Sequence, residues 1–199
     1  PAPPVEAKPA STWKGKRDLA GFLSNGNSDA FGVALIGELV NKREKFQHKW
    51  SAMLDYQETS NQLSREYGRF GYQVDWDIDP RHYAYARGEY EHDRTAGVKH
   101  RGIAAIGAGW RVSTEAPLLL NLEAGPALRR TLYYGGNTDN ELIARGVLDM
   151  EYQVTPAIKL TEDAEAIYGE QESVLRSITG VEAKLSGRLS GRLSYDIRH

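Results

Sequence analysis

Hydrophobic and polar residues alternate with a period of two in one long segment after another, from Trp13 to the end of the chain. In residues 81–93, RHYAYARGEYEHD, one parity carries arginine, tyrosine, glutamate and aspartate, and the other carries alanine, glycine, tyrosine and histidine. Successive side chains of a β-strand point to opposite faces of the sheet, whereas a helix repeats about every 3.6 residues. The pattern therefore predicts an all-β protein whose strands each have one charged and one oily face.

About eleven such segments follow one another along the chain, separated by turn-forming residues. Many of them are about 12 to 15 residues long, compared with five or six for typical soluble sheets. The predicted spans are 13–24, 29–41, 46–58, 65–77, 80–93, 99–113, 117–132, 139–154, 156–169, 174–185 and 188–199.

The connections alternate between compact stretches and more polar, flexible ones, as expected for hairpins that end on opposite sides of one sheet. The compact set is 41–46, 77–81, 113–117, 154–156 and 186–188. The flexible set is 24–29, 57–66, 94–99, 134–140 and 169–173. We therefore predict one domain, residues 13–199, built from up-and-down antiparallel strands.

Alternation alone does not decide which face is inside, because a soluble barrel turns its oily face inward. The charged face, however, combines many arginines with aspartates and glutamates and has few lysines, and arginine suits paired, partly enclosed carboxylates. We therefore predict that the charged face lines the lumen of a barrel, either as a mutually neutralising brace or as a solute-selective constriction. The predicted lumen residues are Glu38, Asp55, Arg69, Asp75, Arg87, Glu89, Glu91, Glu123, Arg129, Arg145, Asp149, Glu151, Lys159, Asp163, Glu165, Arg176, Glu182, Lys184, Arg188 and Arg192.

Aromatic residues on the oily face collect towards the two ends of the predicted strands, and small aliphatic residues and glycine lie between them. The residues predicted near the compact turns are Trp13, Trp50, Trp76, Trp110 and Tyr152, and those predicted near the flexible loops are Phe31, Tyr56, Tyr90 and Tyr168. Two aromatic girdles around an apolar band are typical of a transmembrane barrel. We therefore predict an up-and-down transmembrane β-barrel of about 12 strands, with a soluble lipocalin-like barrel or sandwich as the alternative.

Composition excludes several other classes of protein. With 25 basic and 27 acidic residues, the chain has no overall field that would attract nucleic acid. It has no cysteine, which excludes disulfides, thiolate metal sites and cysteine nucleophiles. No segment approaches the 18 or so apolar residues of a membrane-spanning helix. The chain opens with PAPPVEAKPAS, and residues 1–12 are predicted to be a flexible Pro-rich periplasmic leader that remains after removal of a signal peptide.

Residues that could carry out catalysis or bind metal are few. His92, Asp93 and His100 could meet near one hairpin end, but His92 has the parity of the oily face. The SNGNSD segment at 24–29 contains oxygen ligands, yet such a sequence is first of all a turn. We therefore expect no enzyme activity, no cofactor and no bound metal.

Several segments resemble one family. FLSNGNSDAFGVAL at 22–35, RGEYEHDRTAGVKHRGIAAIGAGWRV at 87–112, LNLEAGPALRR at 120–130 and LSYDIRH at 193–199 are similar to motifs of the salt-induced outer-membrane protein family, YdiY-like, a domain family of unknown function in Gram-negative bacteria. The resemblance covers residues 13–199 and implies an outer-membrane barrel; it carries over no catalytic residue. Family members usually continue to a last strand that ends in an aromatic residue, whereas this chain ends at His199. A final strand is therefore expected to be absent from this chain.

The leading functional prediction is an integral outer-membrane protein, a narrow porin-like pore or a passive envelope protein with a charge-lined lumen. One alternative is a non-conducting structural or partner-binding barrel whose salt-bridged interior is plugged. Another is a soluble ligand-binding barrel. The expected surroundings are outer-membrane lipid and lipopolysaccharide of a Gram-negative cell, with no nucleic acid. A protein partner in the envelope is possible in principle, and the sequence does not indicate the oligomeric state.

Overall fold

The computed structural model describes residues 11–24, 30–60, 62–170, 173–184 and 190–198, and they form eleven β-strands. The strands are β1 (Thr12–Ser24), β2 (Ala30–Arg43), β3 (Phe46–Thr59), β4 (Gln62–Asp77), β5 (His82–Asp93), β6 (Val98–Glu115), β7 (Leu118–Tyr133), β8 (Thr138–Thr155), β9 (Ile158–Tyr168), β10 (Val174–Lys184) and β11 (Ser190–Arg198). Within the described ranges no helix is both long and apolar enough to cross a membrane.

Each strand pairs antiparallel with the next one in the chain, so the sheet order is β1 to β11 without a crossover. In the part of the chain that the structure describes, β1 and β11 are the two edges of this single sheet. The predicted all-β, up-and-down architecture with eleven strands in the chain is confirmed. The predicted leader lies outside the described residues up to position 10, as does the SNGNSD segment from 25 to 29.

One predicted connection is wrong. Residues 57–66 were expected to form a flexible loop, but β3 continues to Thr59 and β4 begins at Gln62. Ser60, with a positive φ of 53°, makes the reversal, and a register shift follows Gln57. The polar residues here misled the prediction because backbone pairing continues at a strand end whatever the polarity of the side chains.

The sheet is curled so that its charged face is on the inside. Arg69 of β4 and Glu165 of β9 are five strands apart in the sheet order, yet Arg69 Nη2 lies 3.2 Å from Glu165 Oε2. Lys49 of β3 similarly reaches Glu123 of β7, with 3.6 Å between Nζ and Oε1. Such contacts cross a barrel-like interior. Residues four or five strands apart could not meet on a flat sheet, because neighbouring strands are about 4.8 Å apart.

Tyrosine rings fill part of this interior by lying against glycines of the neighbouring strand. Tyr83 pairs in register with Gly109, and Tyr85 with Gly107. Both rings are almost completely buried, with exposed fractions of 1% and 3%, and they pack with three small or aliphatic side chains, Ala105, Ala127 and Ile143. The missing glycine side chains give the rings the space to lie flat on the wall.

The Gly109→Ala substitution is expected to lower the free energy of unfolding by about 1–3 kcal/mol, because a Cβ at this position would overlap the Tyr83 ring. Gly88→Ala is the matched control, since a Cβ on Gly88 meets nothing within 4 Å. Urea titration of both variants in the same detergent, followed by tryptophan fluorescence, measures the difference. Equal losses in the two variants would contradict the inward position of Gly109.

The outward face of the sheet is apolar across its middle and aromatic towards both ends. Leu128 and Leu142, on adjacent strands, are 63% and 68% exposed. We call the end with the turns 44–45, 78–81, 116–117 and 156–157 the tryptophan end, because all four tryptophans lie in the halves of their strands that lead to it. We call the other end, with the turns 94–97 and 134–137, the tyrosine end.

The turns at the tryptophan end are compact and hydrogen-bonded. Asp79 Oδ1 accepts hydrogen bonds from the backbone N–H groups of Arg81 and His82, at 2.7 and 2.8 Å. The His82 ring nitrogen Nδ1 lies 2.9 Å from Asp79 Oδ2. The hydrogen bond from the His82 side chain, together with those from the backbone, lowers the pKa of Asp79 to about 2. This carboxylate therefore holds the β4–β5 reversal in one conformation.

Candidate functional site: an interior crossed by ion pairs

A chain of alternating charges crosses the interior from β5 to β9. It begins at Arg87, whose Nη2 lies 2.6 Å from Glu89 Oε2. Arg69 Nη2 lies 2.7 Å from the same carboxylate oxygen and 3.2 Å from Glu165 Oε2. Each of these side chains is less than one-fifth exposed. The Arg69–Glu165 contact therefore joins opposite walls of the barrel through partly dehydrated charges.

The chain continues from β9 through β8 and β7 to β3. Arg145 contacts Glu165 through Nε at 2.8 Å and Glu123 through Nη1 at 3.2 Å. Lys49 Nζ then lies 3.6 Å from Glu123 Oε1 and 2.9 Å from Asp75 Oδ2. We call the eight residues Arg87, Glu89, Arg69, Glu165, Arg145, Glu123, Lys49 and Asp75 the ion-pair chain. Its four positive and four negative charges alternate, so the chain is neutral as a whole.

Glu123 is the best-connected carboxylate of the ion-pair chain. Besides Arg145 and Lys49, it accepts hydrogen bonds of 2.8 Å from Gln73 Nε2 and from the Tyr83 hydroxyl. Its side chain is 3% exposed. A buried carboxylate needs this many donors, because removing it from water otherwise costs several kcal/mol, roughly.

A cavity of about 490 Å³ lies beside the ion-pair chain, on the side formed by β2, β3, β9 and β10. Its wall combines charged groups with small and aliphatic side chains such as Ser51, Ala52 and Ile178. The opposite side of the interior is occupied by the tyrosine cluster around Tyr83 and Tyr85. The lumen is therefore filled on one side and open on the other.

Two carboxylates face each other across the β8–β9 pair on the wall of this cavity. Asp149 and Asp163 are register partners, and both line the cavity. The Asn121 amide donates to Asp149 Oδ2 at 3.3 Å. Lys49 and Arg176 are among the basic side chains on the same wall. The cavity thus presents both signs of charge.

The predicted lumen residues are placed as follows. Those that line the cavity of about 490 Å³ or a smaller cavity of about 50 Å³, or belong to the ion-pair chain, are Glu38, Arg69, Asp75, Arg87, Glu89, Glu91, Glu123, Arg129, Arg145, Asp149, Asp163, Glu165 and Arg176. Ion pairs elsewhere contain Asp55, with Arg65, and Glu151 and Glu182, both with Lys159. Arg192 lies in β11 and is the register partner of Glu182. Lys184 lies in β10 and is the register partner of Ser190. Arg188 lies outside the described residues.

The predicted aromatic residues all have the outward parity of their strands. Near the tryptophan end, Trp13 stacks on Trp50 across β1 and β3, with ring centroids 5.8 Å apart. Near the other end, the residues on this face include Tyr90 and Tyr168, and Tyr168 is 74% exposed. The remaining predicted residues at the two ends are Phe31, Tyr56, Trp76, Trp110 and Tyr152, each 40–53% exposed.

Among the interior charges that the sequence argument missed are three that form ion pairs. Lys49, Arg101 and Glu141 were not among the candidates, yet Lys49 belongs to the ion-pair chain. Arg101 Nη1 lies 3.0 Å from Glu91 Oε1, and Glu141 pairs with Arg129. Parity alone could have found two of them, because Lys49 has the parity of Asp55 and Glu141 that of Arg145.

The histidines considered as ligands do not form a common site. His92 points outward, whereas its neighbour Asp93 is buried on the inner face. The rings of His92 and His100 are 6.5 Å apart, centroid to centroid. Among the residues that the structure describes, no three His, Asp or Glu side chains come together in a metal-binding group.

A single up-and-down sheet that curls around charged side chains defines a β-barrel-like protein. Residues 18–199 match the family model described as Protein of unknown function, DUF481, and the chain belongs to this family. A search of curated proteins gives no match.

Proposed function

We propose that this protein is an integral outer-membrane β-barrel whose charged lumen provides a narrow, weakly selective path for small polar solutes. The observation that carries the proposal is the reversed polarity of the sheet: leucine side chains such as Leu128 and Leu142 are outside, and ion pairs are inside. A soluble protein would gain by burying the apolar face and exposing the charges. Lipid reverses that preference.

Strand lengths and aromatic positions support the same environment. The strands contain between 9 and 18 residues, and crossing the hydrocarbon at a tilt takes about 9–11. Tryptophan and tyrosine prefer the headgroup level because their rings are amphipathic. The stacked pair Trp13 and Trp50 lies towards one end of the apolar band, and Tyr90 and Tyr168 lie towards the other.

The cavity beside the ion-pair chain supports a narrow path rather than a wide channel. The Arg69–Glu165 contact and the buried rings of Tyr83 and Tyr85 obstruct a large part of the cross-section. The open space of about 490 Å³ could hold water and small solutes only. Because the cavity wall carries both signs of charge, we expect little preference between cations and anions.

A second candidate function is a non-conducting structural barrel, favoured by the continuity of the ion-pair chain from wall to wall. In this case the interior serves as a brace, and the outward surfaces and turns make the functional contacts. Conductance measurements on protein reconstituted in planar bilayers separate the two functions. Small, weakly selective currents support the narrow path, and their absence from folded, inserted protein supports the brace.

The double substitution Arg69→Ser with Glu165→Ser is expected to increase the unit conductance. It removes the contact between opposite walls. The remaining ion-pair partners stay in place, because Glu89 still pairs with Arg87 and Arg145 still pairs with Glu123. The control is Arg94→Ser with Glu66→Ser, which removes an exposed pair at 3.3 Å on the outer surface. An unchanged unit conductance in the first double variant would count against a path beside the ion-pair chain.

The membrane location has its own test. A folded transmembrane barrel migrates differently in a detergent gel before and after boiling, and it requires detergent or lipid to remain monodisperse. Protein that is folded and monodisperse without detergent would support a soluble ligand-binding barrel instead. This outcome would overturn the membrane proposal whatever the conductance experiment shows.

A further inference from the structure

Exposed basic side chains gather in β6 and β7 at the tyrosine end. Arg130 has the same outward parity as Leu128, which is 63% exposed, and it is exposed itself. Lys99 and His100 are also exposed, at the bulge where the β6–β7 register shifts between Val98 and His100. Along their strands, these groups lie beyond the apolar band, near the tyrosine end of the barrel.

An open notch separates an aromatic ring from the Arg130 side chain. Gly102 is the register partner of Tyr90 on one side and of Arg130 on the other. A Cβ on Gly102 would meet nothing within 4 Å, so the floor of the notch is free. The Tyr90 hydroxyl lies 2.7 Å from His100 Nδ1, which holds the two rings together at the upper edge of the notch.

No carboxylate of the described residues pairs with the positive charges at this notch. The outward carboxylate of Glu66 is already used by His92 at 3.5 Å and by Arg94 at 3.3 Å. Within the described ranges, neither Lys99 nor Arg130 has a carboxylate partner. By contrast, most interior arginines contact acids, so this outer cluster is an exception to the charge pairing of the molecule.

We propose that Lys99, His100 and Arg130 form a binding site for the phosphate group of an anionic lipid headgroup, with the Gly102 notch admitting the adjoining sugar or acyl portion. The site rests on the proposed membrane location and adds a specific lipid class to it. Its position matches the ligand, because the Tyr90 ring marks the headgroup level and the basic groups lie at that level or just beyond it. Lysine and arginine near a membrane surface attract anionic lipid, and arginine can also bind phosphate through two nitrogens.

The probe is bisphosphorylated lipid A, titrated into the full chain in detergent, with the thermal unfolding midpoint as the readout. Lipid A is expected to raise the midpoint. The double substitution Lys99→Gln with Arg130→Gln is expected to raise the half-saturating concentration of lipid A roughly tenfold to thirtyfold. Gly102→Leu fills the notch without removing charge and is expected to weaken binding as well. Gly88→Leu is its matched control, because Gly88 is equally open and lies on the same outward face.

The charge control is Lys45→Gln with Arg81→Gln, two exposed basic residues in the turns of the tryptophan end. Equal weakening by this control would show a general response to net charge and would overturn the site. Equal stabilisation by dephosphorylated lipid A, or by inorganic phosphate alone, would overturn the assignment to a lipid phosphate. The heat-modifiable gel mobility of every variant tests the membrane proposal independently of lipid binding. A protein that shows this mobility but does not bind lipid A contradicts the lipid site and leaves the membrane proposal standing.

Discussion

Glu123→Ala is expected to lower the free energy of unfolding by about 3–5 kcal/mol, because it leaves buried positive charge without its carboxylate. Arg145, whose side chain is 7% exposed, loses a partner at 3.2 Å, and the more accessible Lys49 loses one at 3.6 Å. Gln73 and Tyr83 lose a hydrogen-bond acceptor at the same time. Chemical unfolding in detergent, monitored by tryptophan fluorescence, measures the loss.

Two further variants show whether the loss comes from unpaired charge. Glu151→Ala removes a half-exposed carboxylate with a single contact, 3.5 Å from Lys159, and is expected to cost less than about 1 kcal/mol. Glu123→Leu with Arg145→Leu removes both charges, leaves Glu165 with Arg69 and Lys49 with Asp75, and is expected to recover much of the stability. If Glu123→Ala costs no more than Glu151→Ala, the interior is wet enough to solvate its charges.

Ala86→Arg is expected to lower the free energy of unfolding by about 2–4 kcal/mol, because it places a charge near the middle of the apolar band, on the face that the proposed membrane location turns towards lipid. Ala86 is exposed and pairs in register with Val74 and Ile106, whose side chains lie on the same outward face. Refolding into bilayers from urea, at equilibrium, measures the cost. The experiment depends on lipid, since the same substitution on a water-exposed surface costs little.

Ala86→Leu controls for the size of the new side chain and is expected to be close to neutral. Position 86 has open space outward, so a longer apolar side chain creates no clash with the interior. A neutral result for Ala86→Arg in bilayers would favour water rather than lipid outside the barrel. In that case the soluble alternative would regain support.

The strand pattern and the two faces could be predicted from the sequence because both depend on local order. In β5, the inward positions of Tyr83 and Glu89 follow from counting every second residue. The same counting applies to each hairpin, since antiparallel neighbours carry their parity across the register. The eleven strands were therefore predictable with small errors at their ends.

The ion-pair chain could not be predicted, because its decisive contacts depend on the curl of the sheet. Nothing in the sequence indicates that Arg69 contacts Glu165, because the two residues are 96 positions apart in the chain and meet only across the interior. Bulges are equally invisible to a simple count. The shift near Val98 buries that residue, although its parity matches the exposed His100.

The contact between Arg69 and Glu165 also has a mechanical consequence. It ties β4 to β9 across the cross-section, as a strut does in a tube, and Lys49 with Glu123 adds a second strut between β3 and β7. Sheet hydrogen bonds resist separation of neighbouring strands but offer little resistance to flattening of the tube. The struts supply that resistance, so in the proposed membrane location we expect the shape of the cross-section to stay nearly constant when lateral pressure in the bilayer changes.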